Sequence, residues 1–123
     1  MKTNTNIIQD DFIIDIIDGI SIIKFNSIRA TLNEANLLKQ LLDSLVTANH
    51  YKLVLDFSET QYLDSAITSV MIKFVKEIRK MKGDIITITP NGSINKFFVQ
   101  TRLNKIFKQF DTKDQALLCF AGA

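Results

Sequence analysis

A carboxylate and a hydroxyl stand side by side at Asp64-Ser65, and two further hydroxyls follow at Thr68 and Ser69. Apolar residues recur every three or four positions after this cluster, which predicts a helix over Ser65–Lys82. Ser65 would then lie in the first turn of that helix. A serine there can cap the helix together with Asp64. It can also accept a phosphoryl group, which would meet unpaired N–H groups and the positive end of the helix dipole. The two roles do not exclude each other.

The helical wheel separates the hydroxyl cluster from the expected core of the protein. At about 100° per residue, the predicted core side comprises Ile67, Val70, Met71, Phe74, Ile78 and Met81. The opposite side is expected to face solvent and carries Ser65, Thr68, Ser69, Ile72, Lys76 and Arg79. A phosphate on Ser65 would therefore add about two negative charges to an exposed surface beside Asp64.

Catalysis and metal binding have little support in the sequence. One histidine, His50, and one cysteine, Cys119, are present, so no cluster offers a metal site or a nucleophile with its base. Asp56 and Asp64 could form a carboxylate pair for acid–base work, but neither a histidine nor a glycine-rich phosphate loop accompanies them. We therefore predict a protein that is not an enzyme and that needs no cofactor and no metal.

Composition indicates one globular domain over residues 1–123. Hydrophobic residues make up 46% and charged residues 23%, and the four Gly and one Pro leave no room for a long linker. The net charge of +2 gives no electrostatic case for nucleic acid, and the basic residues of 73–82 are expected to form a solvated helix face. Neither a signal peptide nor a membrane-spanning stretch is evident, so we expect a cytoplasmic protein that does not insert into membranes.

The elements that must position the cluster are predicted from periodicity and turn chemistry. Phe12–Ile17 and Ile20–Phe25 flank Asp18-Gly19 and predict a β-hairpin, because that dipeptide tolerates positive φ angles. A leucine stripe predicts a helix over Leu32–Ala48, capped by Thr31 or Asn33.

Strands and helices alternate after this point, which predicts parallel pairing. The expected segments are a strand at Tyr51–Phe57, a loop at Ser58–Leu63, the Ser65 helix ended by Gly83, a strand at Asp84–Thr89, a short helix from Ser93 to Thr101, a brief strand within Ile106–Phe110 and a last helix capped by Asp111. The predicted fold class is α/β: a mixed sheet with an opening antiparallel hairpin and then parallel strands, packed with about four helices.

The segment Leu53-Val54-Leu55-Asp56-Phe57, followed by Tyr62-Leu63-Asp64-Ser65, resembles the central signature of STAS domains. In that family a strand ending in an acidic residue leads through a short loop to an Asp-Ser-(Ser/Thr)-Gly turn that opens a helix. The likeness continues through Lys82-Gly83 and Leu103–Phe107 into Asp111–Leu118, and so covers roughly the C-terminal two-thirds of the chain. It implies a STAS domain of the anti-sigma-factor-antagonist type.

In anti-sigma-factor antagonists, the serine after that Asp is phosphorylated by a kinase that is also the anti-sigma factor. Only the unphosphorylated form binds the kinase and releases the sigma factor. The resemblance thus implies Ser65 as phosphoacceptor and Asp64 and Asp56 as its acidic neighbours, with a serine-kinase anti-sigma factor or other signalling protein as partner. The candidate partner contacts on the helix are Thr68, Ser69, Ile72 and Lys76. The oligomeric state stays open, a homodimer included.

Two departures from the family pattern support an alternative. Ile67 and Ser69 stand where the family usually has glycine, a residue that permits close approach of a partner's backbone. The alternative is a STAS subunit that is not phosphorylated and that serves a signalling scaffold or a membrane lipid-transport complex. In that case Ser65 has no switching role and exposed apolar residues form a permanent interface.

Overall fold

The structure, a computed structural model, describes residues 4–8 and 11–121, with side chains described from residue 11 onward. Eight strands, four α-helices and one short 3-10 helix occur in these residues. Their bounds are β1 Asn4–Ile8, β2 Phe12–Ile17, β3 Ile20–Phe25, β4 Arg29–Ala30, α1 Leu32–Thr47, β5 Lys52–Asp56, β6 Tyr62–Leu63, α2 Ser65–Lys80, β7 Asp84–Ile88, α3 Gly92–Gln100, the 3-10 helix Leu103–Lys105, β8 Gln109–Phe110 and α4 Lys113–Ala121.

Six of the strands form one mixed sheet in the order β1-β2-β3-β5-β7-β8. The first three strands pair antiparallel, whereas β3, β5, β7 and β8 pair parallel. A separate two-stranded sheet joins β4 to β6 in parallel. The predicted α/β class is confirmed, with its opening hairpin, its parallel strands and its four helices.

The hairpin between β2 and β3 forms where the Asp-Gly dipeptide predicts it. Ile17 pairs with Ile20 across the turn, and both central residues have positive φ, 51° at Asp18 and 79° at Gly19. Two positive φ angles define the type I′ turn, whose twist matches that of the flanking strands.

Both faces of the central strands are buried, which explains their nearly continuous apolar sequences. On one face Leu53 and Leu55 of β5 join the core that α1, α2 and α3 cover. On the other face Val54 joins a smaller cluster that includes Ile86 of β7 and Ala116 of α4. Helices therefore lie on both sides of the sheet, and α4 packs alone on its side within the described residues.

Several boundaries differ from those predicted. The predicted loop Ser58–Leu63 contains β6, and β1 was not predicted, because its segment NTNII is half polar. Thr31 caps α1 as predicted, with its N–H donating to the Glu34 carboxylate at 2.7 Å.

Two other predicted caps are wrong. The carboxamide oxygen of Asn91, in place of Ser93, accepts the N–H of Ile94 at 2.9 Å and caps α3. At α4, the hydroxyl that accepts the N–H of Gln115, at 3.2 Å, belongs to Thr112 and not to Asp111. In both cases the helix starts one or two residues away from its predicted place, so a different residue with a side-chain oxygen precedes the first turn.

Gly83 follows α2 as predicted, but glycine is needed at this position because of close packing and not because of a positive φ. The left-handed residue after the helix is Lys82, with φ 64°. A Cβ at position 83 would overlap the carbonyl oxygen and Cβ of Tyr51, because β7 starts against the chain entering β5, with the N–H of Asp84 donating to Tyr51 at 2.9 Å.

We expect Gly83→Ala to lower the free energy of unfolding by about 2 kcal/mol, because the added methyl group forces two backbone segments apart. Gly92→Ala is the matched control: nothing lies within 4 Å of its added Cβ, so the change is expected to raise stability by about 0.5 kcal/mol. Urea denaturation of both variants measures the difference. Equal stabilities would contradict the packing explanation.

Candidate functional site

The Asp64-Ser65 cluster lies at the end of the sheet where the parallel strands finish. The chain leaves β5 at Asp56, crosses a short loop, and enters α2 through β6. Asn91 holds this loop, because its side-chain NH₂ donates to the carbonyl oxygens of Thr60 at 2.8 Å and Phe57 at 3.3 Å. The Thr60 hydroxyl in turn donates to the carbonyl of Ser27 at 2.8 Å. The loop that leads into α2 is therefore bonded to two other loops at the same end of the sheet, one before α3 and one before β4.

Asp64 is the N-cap of α2. Its backbone is extended, with φ −112° and ψ 179°. One carboxylate oxygen accepts the N–H groups of Ala66 at 3.0 Å and Ile67 at 3.3 Å, and the backbone N–H of Asp64 donates to Ala30 of β4 at 3.3 Å. The capping role predicted for Asp64 is confirmed, and its carboxylate is bonded to the N-terminus of the helix.

Ser65 is the first residue of α2 and its side chain is exposed. Its carbonyl oxygen accepts the Thr68 hydroxyl at 3.0 Å, whereas its own hydroxyl makes no hydrogen bond within the described part of the chain. The hydroxyl that the family resemblance implies as phosphoacceptor is thus exposed and makes no bond to the described residues.

The remaining residues predicted on the exposed face of α2 divide into two groups. Ser69, Lys76 and Arg79 are exposed as predicted. Thr68 is half-buried, with its hydroxyl turned back to the helix, and Ile72 is half-buried and packs against the core. The predicted exposure of Thr68 and Ile72 is therefore wrong in degree. The reason is that both residues lie on the same side of α2 as Arg79, whose guanidinium donates to the carbonyl oxygen of Ile106 at 2.5 Å, so this flank of the helix faces the segment after α3.

The same packing shifts the buried side of α2 towards Val75, which is 1% exposed and was not among the predicted core residues. Val70 is only half-buried. The predicted burial of Met81 is wrong, since its side chain is 54% exposed. The helix ends at Lys80, so helical periodicity no longer places residue 81.

Asp56 ends β5 and is buried to 8% exposure. Its carboxylate accepts the N–H of Ser58 at 2.8 Å, which turns the chain out of the sheet. No hydrogen bond joins Asp56 to Asp64 in the described residues, and both carboxylates bind backbone N–H groups of their own segments. The arrangement is that of two turn-forming carboxylates, not of a proton-transferring pair.

An exposed apolar patch, which we call the Tyr62 patch, flanks the start of α2. It consists of Ile28 (63% exposed), Leu32 (61%) and Tyr62 (43%). The guanidinium of Arg29 lies 4.3 Å from the centre of the Tyr62 ring. The pairing of β4 with β6 sets Tyr62 opposite Arg29 and next to Ile28, whose carbonyl oxygen accepts the N–H of Tyr62 at 3.1 Å. Leu32 follows two residues after β4. Sequence reasoning missed the patch because it depends on this pairing. The available signal was the presence of two apolar residues, Ile28 and Tyr62, outside the predicted strands and helices.

The described residues contain no group of three or more His, Cys, Asp or Glu that could hold a metal ion. Among the helices described, none has the length and apolar character needed to cross a membrane.

Comparison with known proteins gives both a family and a set of similar structures. The family model described as STAS domain matches residues 11–116. A Thermotoga maritima protein provisionally named an anti-sigma factor antagonist is 25% identical over 103 residues, which is 83% of this chain and 90% of that protein.

Solved structures share the fold at low sequence identity. A crystal structure of a provisionally named anti-sigma factor antagonist from Thermotoga maritima matches with a TM-score of 0.76 and 24% identity, covering 86% of this chain and 91% of that one. The phosphorylated form of the Bacillus cell fate determinant SpoIIAA matches with a TM-score of 0.64 and 11% identity, over 94% and 96% of the two chains.

A sulfate transporter family protein from Wolinella succinogenes has the same fold, with a TM-score of 0.71 and 16% identity over 82% of this chain and 84% of that one. The fold thus occurs both in anti-sigma factor antagonists and in a protein of a transporter family. Since the family model spans most of the sequence, from the first residue before β2 into α4, the chain belongs to the STAS domain family.

Proposed function

We propose that this protein is a phosphoregulated binding module of the anti-sigma-factor-antagonist type. It binds a serine-kinase anti-sigma factor while Ser65 is unmodified, and phosphorylation of Ser65 by that kinase ends the binding. The protein acts in the cytoplasm, through protein contacts alone, and catalyses no reaction itself. It uses neither nucleic acid nor a membrane as its partner.

The observation that carries this proposal is the accessible, unbonded hydroxyl of Ser65 beside the exposed Tyr62 patch. A kinase must reach an acceptor hydroxyl, and a binding module must offer apolar surface that a partner can cover. Tyr62 lies three residues before Ser65, at the end of the loop that Asn91 holds by hydrogen bonds. Modification at Ser65 would therefore change the surface next to the proposed interface.

The cap at Asp64 explains why a phosphate would act as a repulsive element. The N–H groups of Ala66 and Ile67 already donate to the Asp64 carboxylate. A phosphate on Ser65 would consequently remain on the surface, with about two negative charges beside an existing one. Burying such a group against a partner carries a large desolvation cost unless the partner supplies cations. The partner that fits the unmodified surface would be rejected after phosphorylation.

The two replaced glycines are compatible with docking at this surface. Ile67 is fully buried and packs in the core, so its side chain adds nothing to the surface that a partner would meet. Ser69 is exposed, but its side chain is only one hydroxymethyl group larger than glycine. The docking surface is thus altered at one position rather than two.

The alternative function is that of a permanent, unphosphorylated STAS subunit in a signalling scaffold or a membrane transport complex. The similarity of the fold to a sulfate transporter family protein favours it. The Tyr62 patch would then be covered at all times, and modification of Ser65 would have no role.

The decisive prediction concerns phosphoserine at position 65. With phosphoserine incorporated at Ser65, we expect at least a tenfold loss of affinity for the purified serine-kinase anti-sigma factor of the same organism. Affinity is expected to fall because the phosphate charge lies next to the Tyr62 patch that the partner covers. Phosphoserine at Ser44 is the matched control, because it places the same charge on an exposed position of α1 that is not among the candidate partner contacts, and it is expected to weaken binding less. Calorimetric titration measures both.

The same titration with Ser65→Ala distinguishes the two functions. The switch requires this variant to bind as tightly as the unmodified protein and to resist phosphorylation by the kinase and ATP. Intact-mass analysis with fragmentation of protein from native cells supplies the second test. If phosphoserine at 65 binds normally and native protein carries no phosphate under growth, starvation and stress, the switch is refuted and the subunit role is favoured.

Truncating the Tyr62 patch tests the interface itself. We expect Tyr62→Ala to weaken binding of the same partner by about 2 kcal/mol, as is typical of a central aromatic contact. Leu118→Ala is the control, since Leu118 is 68% exposed on α4 and lies on the other side of the sheet. Equal effects of the two substitutions on the calorimetric dissociation constant would place the interface elsewhere.

The cap at Asp64 yields a stability prediction that is independent of any partner. Asp64→Ala should lower the free energy of unfolding by about 1 kcal/mol, because two N–H groups lose their acceptor. Asp64→Asn should retain most of the stability, since the carboxamide oxygen accepts the same bonds. Ser65→Ala is expected to change it by less than about 0.5 kcal/mol. Urea denaturation that ranks Ser65→Ala as the more damaging change would contradict the assignment of the cap.

A further inference from the structure

A groove lies at the end of the sheet opposite Ser65, where the parallel strands begin. It comprises two adjoining cavities of about 370 and 220 Å³, and Lys52 and Phe120 line both. We call it the lysine groove. Its walls come from the β2–β3 turn, from the starts of β5 and β7, and from the last turns of α4.

The larger cavity of the lysine groove is walled mainly by apolar side chains. Ile17 and Ile20 flank the β2–β3 turn on one side, and Leu117, Leu118 and Phe120 of α4 lie on the other. Leu118 is 68% exposed, the largest exposure among the big apolar residues described. A carboxylate, Asp18, stands at the turn. This end of the groove suits an apolar chain and disfavours an anion.

The smaller cavity is cationic. Lys52, Lys82 and Lys108 line it, and within the described part of the chain no carboxylate lies in ion-pair contact with any of the three. The carboxylate in this cavity, Asp84, is neutralised by Arg79, whose Nε lies 3.0 Å from its Oδ1. Asp84 also accepts the N–H of Ile85 at 2.9 Å. Three lysines without a carboxylate partner in the described residues therefore line one end of an apolar groove.

The needs of the fold do not account for these lysines. Only Lys82 follows a helix, where a cation offsets the negative end of the dipole, and α2 already has Arg79 and Lys80 in its last turn. Lys52 starts β5 and Lys108 precedes β8, so neither lies at a helix end. Placing like charges together has a cost that an anionic ligand would remove.

We propose that the lysine groove binds a single-chain amphiphile with an anionic head, of the fatty-acid class. The head lies among Lys52, Lys82 and Lys108, and the acyl chain runs along Phe120 towards Leu118. The charges at the two ends set this direction, because Asp18 would repel a carboxylate at the apolar end. The site is independent of the function proposed for Ser65, which lies at the other end of the strands.

Cys119 provides a reporter for occupancy. It is the chain's only cysteine, it is half-buried, and it lines the smaller cavity beside the lysines. The rate at which a maleimide labels Cys119 in the full chain is measured with decanoate, with decan-1-ol and with acetate. Decanoate is expected to slow labelling at least fivefold and to saturate. The alcohol and acetate, each lacking one half of the ligand, are expected to have little effect at equal concentration.

Two comparisons test the assigned direction. Dodecanoate should bind more tightly than decanoate, by roughly fourfold for each methylene that becomes buried. Replacing Lys52 and Lys108 together by Glu should weaken decanoate binding at least tenfold. The matched control is the pair Lys39→Glu and Lys96→Glu, which makes the same change of charge on α1 and α3. Thermal unfolding of each variant verifies that it is folded.

Several outcomes would overturn the proposal. Equal protection by decan-1-ol would make the groove a purely apolar one, and equal protection by acetate would make it a simple anion site. Protection by an acidic amphipathic peptide but not by decanoate would assign the groove to a protein partner. Absence of protection by every probe on the wild-type chain would show that it binds none of them.

Discussion

The parallel pairing of β3, β5 and β7, buried on both faces, is the constraint on which the rest of the molecule depends. Apolar side chains leave these strands in both directions, so helices must cover both sides of the sheet. Parallel strands also require every connection to return from one end of the sheet to the other. The sheet therefore has two distinct ends. The parallel strands finish at one end, where β5 passes through a loop into α2, and begin at the other, where α2 passes into β7.

The geometry at Ser65 follows from this sheet through a short series of backbone contacts. Asn91 ties the loop after β5 to the start of α3, and β6 pairs with β4. Asp64 then has a defined position from which its carboxylate caps α2. Ile67, one turn into the helix, is anchored in the core. The Ser65 hydroxyl is thus presented at a fixed place by residues that are buried or bonded, although it makes no bond itself.

Local chemistry could be predicted from the sequence, whereas contacts between distant segments could not. The Asp18-Gly19 turn and the cap at Asp64 depend on neighbouring residues only, and both are predicted correctly. The β4–β6 pairing joins two dipeptides far apart in the chain, and the Tyr62 patch exists only because they pair. The half-burial of Ile72 likewise depends on distant parts of the core that pack against it, which a helical wheel does not contain. Helical periodicity predicts which side of α2 is apolar, but the neighbouring segments determine how wide the buried side is.

The length of α2 keeps the two ends of the protein chemically separate. Its 16 residues span about 24 Å from Ser65 to the start of the turn that carries Lys82. That distance is about three times the Debye length at physiological ionic strength, so a charge added at Ser65 is almost fully screened at the lysine groove. A partner covering the Tyr62 patch would also leave the groove open. Any influence of one end on the other must therefore pass through the packing of α2 and β5, where Ile67, Met71, Phe74 and Ile78 hold the helix on the sheet. A rigid, fully buried stripe of this kind transmits a shift of the whole helix but not a local change of charge.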